Sequence, residues 1–222
     1  FSSTTITALP RVVVAVSDGS KIWFSYTTGA IWRESGGTYT LVYTTAPAAG
    51  TAGCKGAGEY NGYIYWATQS RLHRIQISAG IATAANWTAN VAADWQTFNQ
   101  TDADFHPMSE QNGTLWIGDN NLMASVNSSA TFTASGLLDL VDPQRIKALA
   151  PFDIDLVIGT IIATSVNECK IARWDTVLTT LQFNEPVREN GVNSFGWLGT
   201  VLIANCGTSG NLYQYDGRFL QP

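Results

Sequence analysis

The sequence predicts an all-β protein made of about five repeats of a four-stranded antiparallel unit, and three observations lead there. Short apolar and aromatic runs alternate along the chain with turns rich in Gly, Asn and Ser. This is the pattern of up-and-down strands, with side chains of period two and turn residues that tolerate a positive φ. One strand recurs at a near-constant interval, and no stretch holds an i, i+3, i+4, i+7 apolar stripe past two turns. Residues 82–95 come nearest, but Thr, Asn and Asp dilute them, so long helices are not expected.

The unit is clearest in 192–217, VNSFGWLGTVLIANCGTSGNLYQYDG, which contains three strands in succession. Aligning its third strand with earlier segments gives the anchors Ile31, Leu72, Leu122, Ile171 and Leu212, at separations of 41, 50, 49 and 41 residues. Four-stranded repeats recur at roughly 40–50 residues. The strand before each anchor repeats as well, at 21–26, 63–67, 114–118, 154–159 and 200–204. Ile22, Ile64, Leu115, Leu156 and Leu202 take equivalent places in it and are expected to be buried between units. Asp18-Gly19, Asn61-Gly62 and Asn112-Gly113 predict tight two-residue hairpins in front of three of these strands. Innermost strands precede them at 11–16, 55–59, 105–110, 146–150 and 192–197.

The units then span 10–46, 53–100, 103–141, 144–188 and 190–222, in a single domain 1–222. The fifth has three clear strands and then only Arg218-Phe219-Leu220, whereas the chain opens on a β-branched run, 4–9. Because unpaired edges template aggregation, residues 3–9 are expected to form the outer strand of the fifth unit and close a ring by pairing the N- and C-terminal segments. The Gly-rich stretch 50–58 serves as the link between the first two units; a phosphate cradle would need a following helix and a Lys-Ser/Thr pair.

An innermost strand, then Asn-Gly-x-[Leu/Ile]-[Tyr/Trp], then [Leu/Ile]-x-x-[Arg/Tyr], resembles β-propeller repeat proteins over essentially the whole chain. The resemblance implies five blades around a central channel. The WD40 Gly-His and Trp-Asp pairs and the kelch double glycine are missing, and 17–23, SDGSKIW, is a degraded likeness of a sialidase Asp-box. ARWDT at 172–176 and NLYQYDG at 211–217 are similar to propeller segments of bacteriophage tail and other virion structural proteins. That similarity transfers no functional residue.

Composition narrows the function classes. Only 13% of the 222 residues are charged, against roughly 25% in soluble domains. Thr, Ser, Asn and Gln must therefore do the solvating, a composition that suits strand-rich extracellular or virion proteins. The net charge of −5, with twelve scattered basic residues, argues against a nucleic-acid partner, which needs a clustered Lys/Arg surface. No apolar run approaches the ~20 residues of a membrane-spanning helix, and membrane insertion is not expected. The chain begins at Phe1, without an initiator Met or a signal-like segment, and is expected to be a processed product or an excerpt. Cys54, Cys169 and Cys206 lack CxxC or His at ligand spacing, so zinc is not expected. They are taken as buried thiols, with a Cys169–Cys206 bridge as the alternative.

The best polar constellation is Asp102, Asp104 and His106, with Glu110 four residues on and Glu59 on the preceding innermost strand. At a channel mouth these groups could hold a cation or carry acid–base chemistry; the plainer reading is a loop of solvated Asp leading into a His-Pro turn. With two histidines, His73 and His106, on different units, neither a His-rich metal site nor a supported Ser-His-Asp triad is available. Asp119-Asn120-Asn121 and Asp153-Ile154-Asp155 lack Ca²⁺-loop spacing and are taken as hairpin turns. Trp87 and Trp95 fall in the longest insertion, 78–101, where no strand is required; on a projecting loop they would offer an aromatic contact for a sugar or a protein. Asn86, Asn99, Asn112 and Asn127 head glycosylation sequons, which matter only in a secretory eukaryotic source.

No catalytic residue, metal or cofactor is assigned. The expected function is a non-enzymatic structural or interaction module of a virion, such as a phage tail, or of an extracellular surface assembly. It would act as a rigid platform for other protein subunits or a surface glycan, with Trp87, Trp95, Asp104, His106, Glu59 and Glu110 as the candidate contacts. The alternative is a secreted carbohydrate-active enzyme or lectin working at the channel mouth.

Overall fold

The computed structural model describes residues 10–45, 53–136, 138–162, 169–217 and 220–221. Among them the chain is all-β, with five four-stranded antiparallel sheets of sequential strand order, the blades of a β-propeller. It divides into two compact units, Phe1–Asp104 and Phe105–Pro222.

In the first unit, sheet one holds β1 (Pro10–Ala15), β2 (Lys21–Ser25), β3 (Ala30–Ser35) and β4 (Thr38–Thr44). Sheet two holds β5 (Gly56–Tyr60), β6 (Tyr63–Ala67), β7 (Arg71–Gln76) and β8 (Val91–Thr97), with a helix, α1 (Ala84–Asn90), before β8. The second unit has three sheets. Sheet three is β9 (Met108–Gln111), β10 (Thr114–Asp119), β11 (Leu122–Asn127) and β12 (Phe132–Thr133). Sheet four is β13 (Gln144–Phe152), β14 (Asp155–Ile162), β15 (Cys169–Trp174) and β16 (Phe183–Val187), and sheet five is β17 (Val192–Leu198), β18 (Val201–Cys206), β19 (Asn211–Tyr215) and β20 (Leu220–Gln221).

Two of the three expected tight hairpins form. Asn61-Gly62 has φ of 47° and 77°, and Asn112-Gly113 has 53° and 69°, the paired positive φ of a two-residue turn that matches the strand twist. The third differs. Val16 N–H donates to the Ser20 carbonyl at 2.9 Å and only Gly19 of its loop has a positive φ, so residues 17–19 make a three-residue loop. The Asp18 carboxylate stabilises it by accepting from the Ser20 N–H at 2.8 Å.

That extra residue changes which way a side chain faces, because the side-chain period is two. All five expected second-strand residues are buried. Ile64, however, packs back onto sheet one, whereas Ile22 packs forward onto sheet two, where it meets Ile64, Trp66 and Ile75. Leu156 packs back onto Trp116 and Met123 of sheet three, and Leu202 back onto Val157 and Ile171 of sheet four. Among the third-strand anchors, Ile31, Leu72 and Ile171 are buried, but Leu212 is exposed, since the paired register puts Tyr213 and Tyr215 on the packed face instead.

Two glycines fix how closely the sheets of the second unit approach. A Cβ on Gly118 would lie 2.7 Å from Ile146 Cγ2, and one on Gly159 would lie 2.6 Å from Val192 Cγ1. Both are the fifth residue of a second strand, and each faces the innermost strand of the next sheet. No other residue fits there without moving a neighbouring strand.

The stretch 78–101 requires a correction. It is not a projecting loop: it contains α1, capped by Thr83 accepting from Asn86 N–H at 3.2 Å, and then β8, the outer strand of sheet two. At the C-terminus β20 pairs with β19, Tyr215 opposite Leu220. The expected closing strand 3–9 lies outside the described residues, as do residues 50–52 of the Gly-rich link, whereas residues 56–58 of that stretch belong to β5.

Candidate functional site

The residues singled out in the sequence are mostly engaged in holding the fold. Trp87 is fully buried, its indole N–H donating to the Ile81 carbonyl at 2.9 Å and its ring stacked on Tyr43, so it presents nothing to a ligand. Trp95 is half-buried against Tyr65 and lies under the Arg74 guanidinium at 3.9 Å. Glu59 accepts from Ser17 N–H at 2.9 Å and so ties down the three-residue loop. The Asp104 carbonyl lies 3.4 Å from the Tyr26 hydroxyl, and the Asp104 side chain is exposed. In the second unit, Glu110 accepts from Gly113 N–H at 2.9 Å across its own hairpin.

His106 is fully buried. Its Nδ1 lies 2.9 Å from the Gly118 carbonyl, which can only accept, so Nδ1 carries the proton. The buried Asp119 carboxylate stands 3.9 Å away. His73 is buried too: its Nδ1 accepts from Asp94 N–H at 2.9 Å and its Nε2 contacts Thr68 Oγ1 at 3.2 Å. Burial pushes its pKa down to about 4 in spite of nearby Asp94, so the ring is neutral. The three cysteines are free and buried, and desolvation raises the Cys54 and Cys206 thiols to about 12 and Cys169 to about 11. The Cys169–Cys206 alternative is thus not realised. Asn120 and Asp153 have positive φ at hairpin turns, as expected of those acidic stretches. Among the described residues no cluster of three His, Cys, Asp or Glu forms a metal-ligand set.

A surface suited to contact lies at residues not singled out from the sequence. It is a groove of about 480 Å³ in the second unit, with Leu138, Leu140 and Leu181 as its apolar lining and Asp139, Gln144, Lys170, Thr179, Thr180 and Asn184 as its polar groups. Two segments make it. Residues 138–140 lie against the start of β11: Met123 N–H donates to the Leu138 carbonyl at 3.1 Å and Leu140 N–H to the Asn121 carbonyl at 2.8 Å. By the alternation of an antiparallel ladder, the N–H and C=O of Asp139 then point away from β11 as a short open edge. Asn121 Nδ2 holds the Asp139 carboxylate at 2.6 Å.

The other segment is the loop after β15. The Asp175 carboxylate accepts from the N–H groups of Leu178 at 2.8 Å and Val177 at 2.9 Å, and from Gln182 Nε2 at 3.0 Å. These donors hold its carboxyl below the ordinary carboxylate range. Beneath, the buried Trp174 donates from Nε1 to the Leu178 carbonyl at 2.6 Å and meets Trp116 edge-on, with centroids 4.7 Å apart at 74°. The backbone is therefore fixed, while Val177 and Leu178 stand 68% and 51% exposed, and Val141 is exposed on the other segment. Apolar side chains held out by a hydrogen-bonded loop beside a leucine-lined groove have the makings of a preorganised docking surface. ARWDT was the available signal, as the Asp-centred turn can be read from it; its partner segment 138–141 is about thirty residues earlier.

Comparison with known proteins places the fold in one class. No family model matches the sequence, and no curated protein does. Solved structures match with probability 1.00. A catalytically inactive variant of virginiamycin B lyase from Staphylococcus aureus with quinupristin aligns at a TM-score of 0.69 and 15% identity, over 99% of this chain and 71% of that one. The extracellular domain of BT4673 from B. thetaiotaomicron aligns at 0.64 and 15%, over 93% of this chain but only 27% of that one. A chain of the nidogen/laminin complex aligns at 0.62 and 13%, over 97% and 81%. These likenesses establish a β-propeller fold. The matched proteins differ in function, and fold alone does not select among them.

Proposed function

We propose that this chain is a non-enzymatic structural and interaction module, a rigid propeller platform for other protein subunits in a virion, such as a phage tail, or in an extracellular surface assembly. The observation that carries the reading is the loop 175–182, locked from within by Asp175 and Trp174 yet presenting Val177 and Leu178 beside the leucine-lined groove. A partner subunit lays an extended apolar segment there, with its backbone against the open edge at Asp139. The low charge and the resemblance of ARWDT and NLYQYDG to virion propeller segments support the assembly context. The candidate carboxylates support the non-enzymatic side, because Glu59 and Glu110 each spend an oxygen on a turn N–H.

A photo-crosslinking amino acid at position 177 tests this in particles or surface assemblies purified from the source. Adducts to a structural subunit, lost when the exposed Val141 and Leu178 are both changed to Asp, are the expected outcome. Absence of the chain from such assemblies, or adducts unaffected by those changes, overturns the reading.

A further inference from the structure

The groove of sheets three and four contains one charge that the fold leaves uncompensated. Along β15, Ile171 packs forward on sheet five and Trp174 packs back towards sheet three. By strand alternation Lys170 and Ala172 share the side of Trp174, so Lys170 faces the groove. Its backbone is pinned, because its N–H donates to Thr160 Oγ1 at 2.9 Å. The residue is half-buried, and among the described residues its ammonium has no carboxylate or hydrogen-bond acceptor. The other charge of the groove, the Asp139 carboxylate, already accepts from Asn121 Nδ2 at 2.6 Å. What remains to be matched is a cation.

Leu138 and Leu140 face sheet four, where they pack with Leu156, Ile158 and Trp174. Their backbone groups bond β11, and those of Asp139 between them point outward as an open edge. A strand added at that edge continues the pleat of sheet three, so every second side chain of it turns to the side of Leu138 and Leu140. It then points into the groove that Lys170 lines from sheet four, with Asn184 of β16 on the same side of that sheet. A half-buried ammonium without a counter-charge attracts a carboxylate more strongly than a fully hydrated one does. An acidic polysaccharide supplies the carboxylate but no backbone for Asp139, whereas a peptide supplies both.

We propose that the occupant of the groove is an extended segment of a partner protein that adds as a strand at Asp139 and turns one Asp or Glu side chain inward onto the Lys170 ammonium. Apolar residues on either side of that acid lie against Val141 and Leu178. The pairing rests on the groove being a docking surface, as proposed above, and adds the charge by which a partner is selected. Lys170 is thereby the residue that sets specificity. A wholly apolar segment leaves its ammonium half-buried and unpaired, and a basic one repels it. All of these groups belong to the second unit.

The crosslinker at position 177 supplies the probe: the segment it captures is identified by mass spectrometry, made as a synthetic peptide and titrated against the full chain by calorimetry. The segment is expected to contain Asp or Glu. The peptide is expected to bind Lys170→Gln about tenfold more weakly than the parent, the scale of one charge-assisted hydrogen bond. Lys170→Arg, which keeps the charge, is expected to stay close to the parent. Changing the peptide's acid to its amide is expected to weaken binding to the parent equally and to make no further difference in Lys170→Gln, a coupling that a merely structural lysine would not show. No adduct at 177 overturns both the docking surface and this pairing. The pairing alone is overturned by an adduct to a glycan, a captured segment without Asp or Glu, a peptide that the parent fails to bind, equal binding by the parent and Lys170→Gln, a Lys170→Arg as weak as Lys170→Gln, or additive losses from the two changes.

Discussion

At the scale of the residue, burial was the property most legible in the sequence. Ile64, Leu115, Leu156 and Leu202 occupy the same step after a hairpin turn, and each is buried. Leu115→Ala and Leu202→Ala should each cost ~2–5 kcal/mol in urea unfolding, the loss of a large buried side chain plus the cavity it leaves. A loss under about half a kcal/mol at both sites would contradict the packing described. The histidines were less legible, because their roles depend on partners distant in sequence. His73 has a folded pKa of about 4 against an ordinary 6.5, so the unfolded chain binds the extra proton. Its contribution is full above pH 6.5 and is lost as pH falls towards 4 and below, a total on the order of 3 kcal/mol. His73→Gln should flatten the acid limb of stability against pH relative to the parent; parallel limbs would mean the ring is not held neutral.

At the scale of the element, the repeat was readable because strand chemistry is local: alternation, Asn-Gly turns and a steady interval. What escaped was set by neighbours. The outer strand of sheet two was hidden because the polar stretch 78–101 gives no alternation, and β8 is bulged around Asp94, whose φ is 50°. Leu212 looked like a core anchor because it begins an alternating run, yet the register with β18 puts Tyr213 and Tyr215 inward. The first hairpin contains the same Asp-Gly signal as a two-residue turn, and only its hydrogen bonds reveal the third residue. Gly118 and Gly159, 41 residues apart, are a spacing signal that strand alternation does not register. Gly159→Ala is expected to destabilise by about 1–3 kcal/mol, the cost of overpacking against Val192 and Phe195. Gly196→Ala, which meets no atom within 4 Å, is the control expected to lie near the parent in thermal melts.

At the scale of the whole molecule, the fold class was legible and the candidate contact surface was not. The groove joins 138–141 to 177–181, two segments that no local pattern links; Leu138 and Leu140 are core leucines, and it is Val141, Val177 and Leu178 that the structure holds out. The carboxylates chosen from the sequence had the right chemistry, but their hydrogen-bond duties were invisible there. On a glycan panel the unmodified chain is expected to release no sugar. Hydrolysis that disappears in Glu110→Gln would instead favour the carbohydrate-active alternative, since that change keeps shape and removes the acid.

The edge-on pair of Trp116 and Trp174 has an optical consequence. Two indoles 4.7 Å apart at 74° share their excited states, and oblique coupled transitions divide a circular-dichroism band into lobes of opposite sign. The chain has eight tryptophans, and Trp66 and Trp87, 5.8 Å apart at 53°, form a second coupled pair, so the Trp116–Trp174 contribution is read as the difference that a change at one of its members makes. Trp116→Phe should remove this pair's two lobes together and leave those of Trp66 and Trp87 in place. Because one indole sits on sheet three and the other on sheet four, under the loop that carries Val177 and Leu178, the couplet provides a label-free readout of whether the floor of the groove stays intact as the surface above it is occupied.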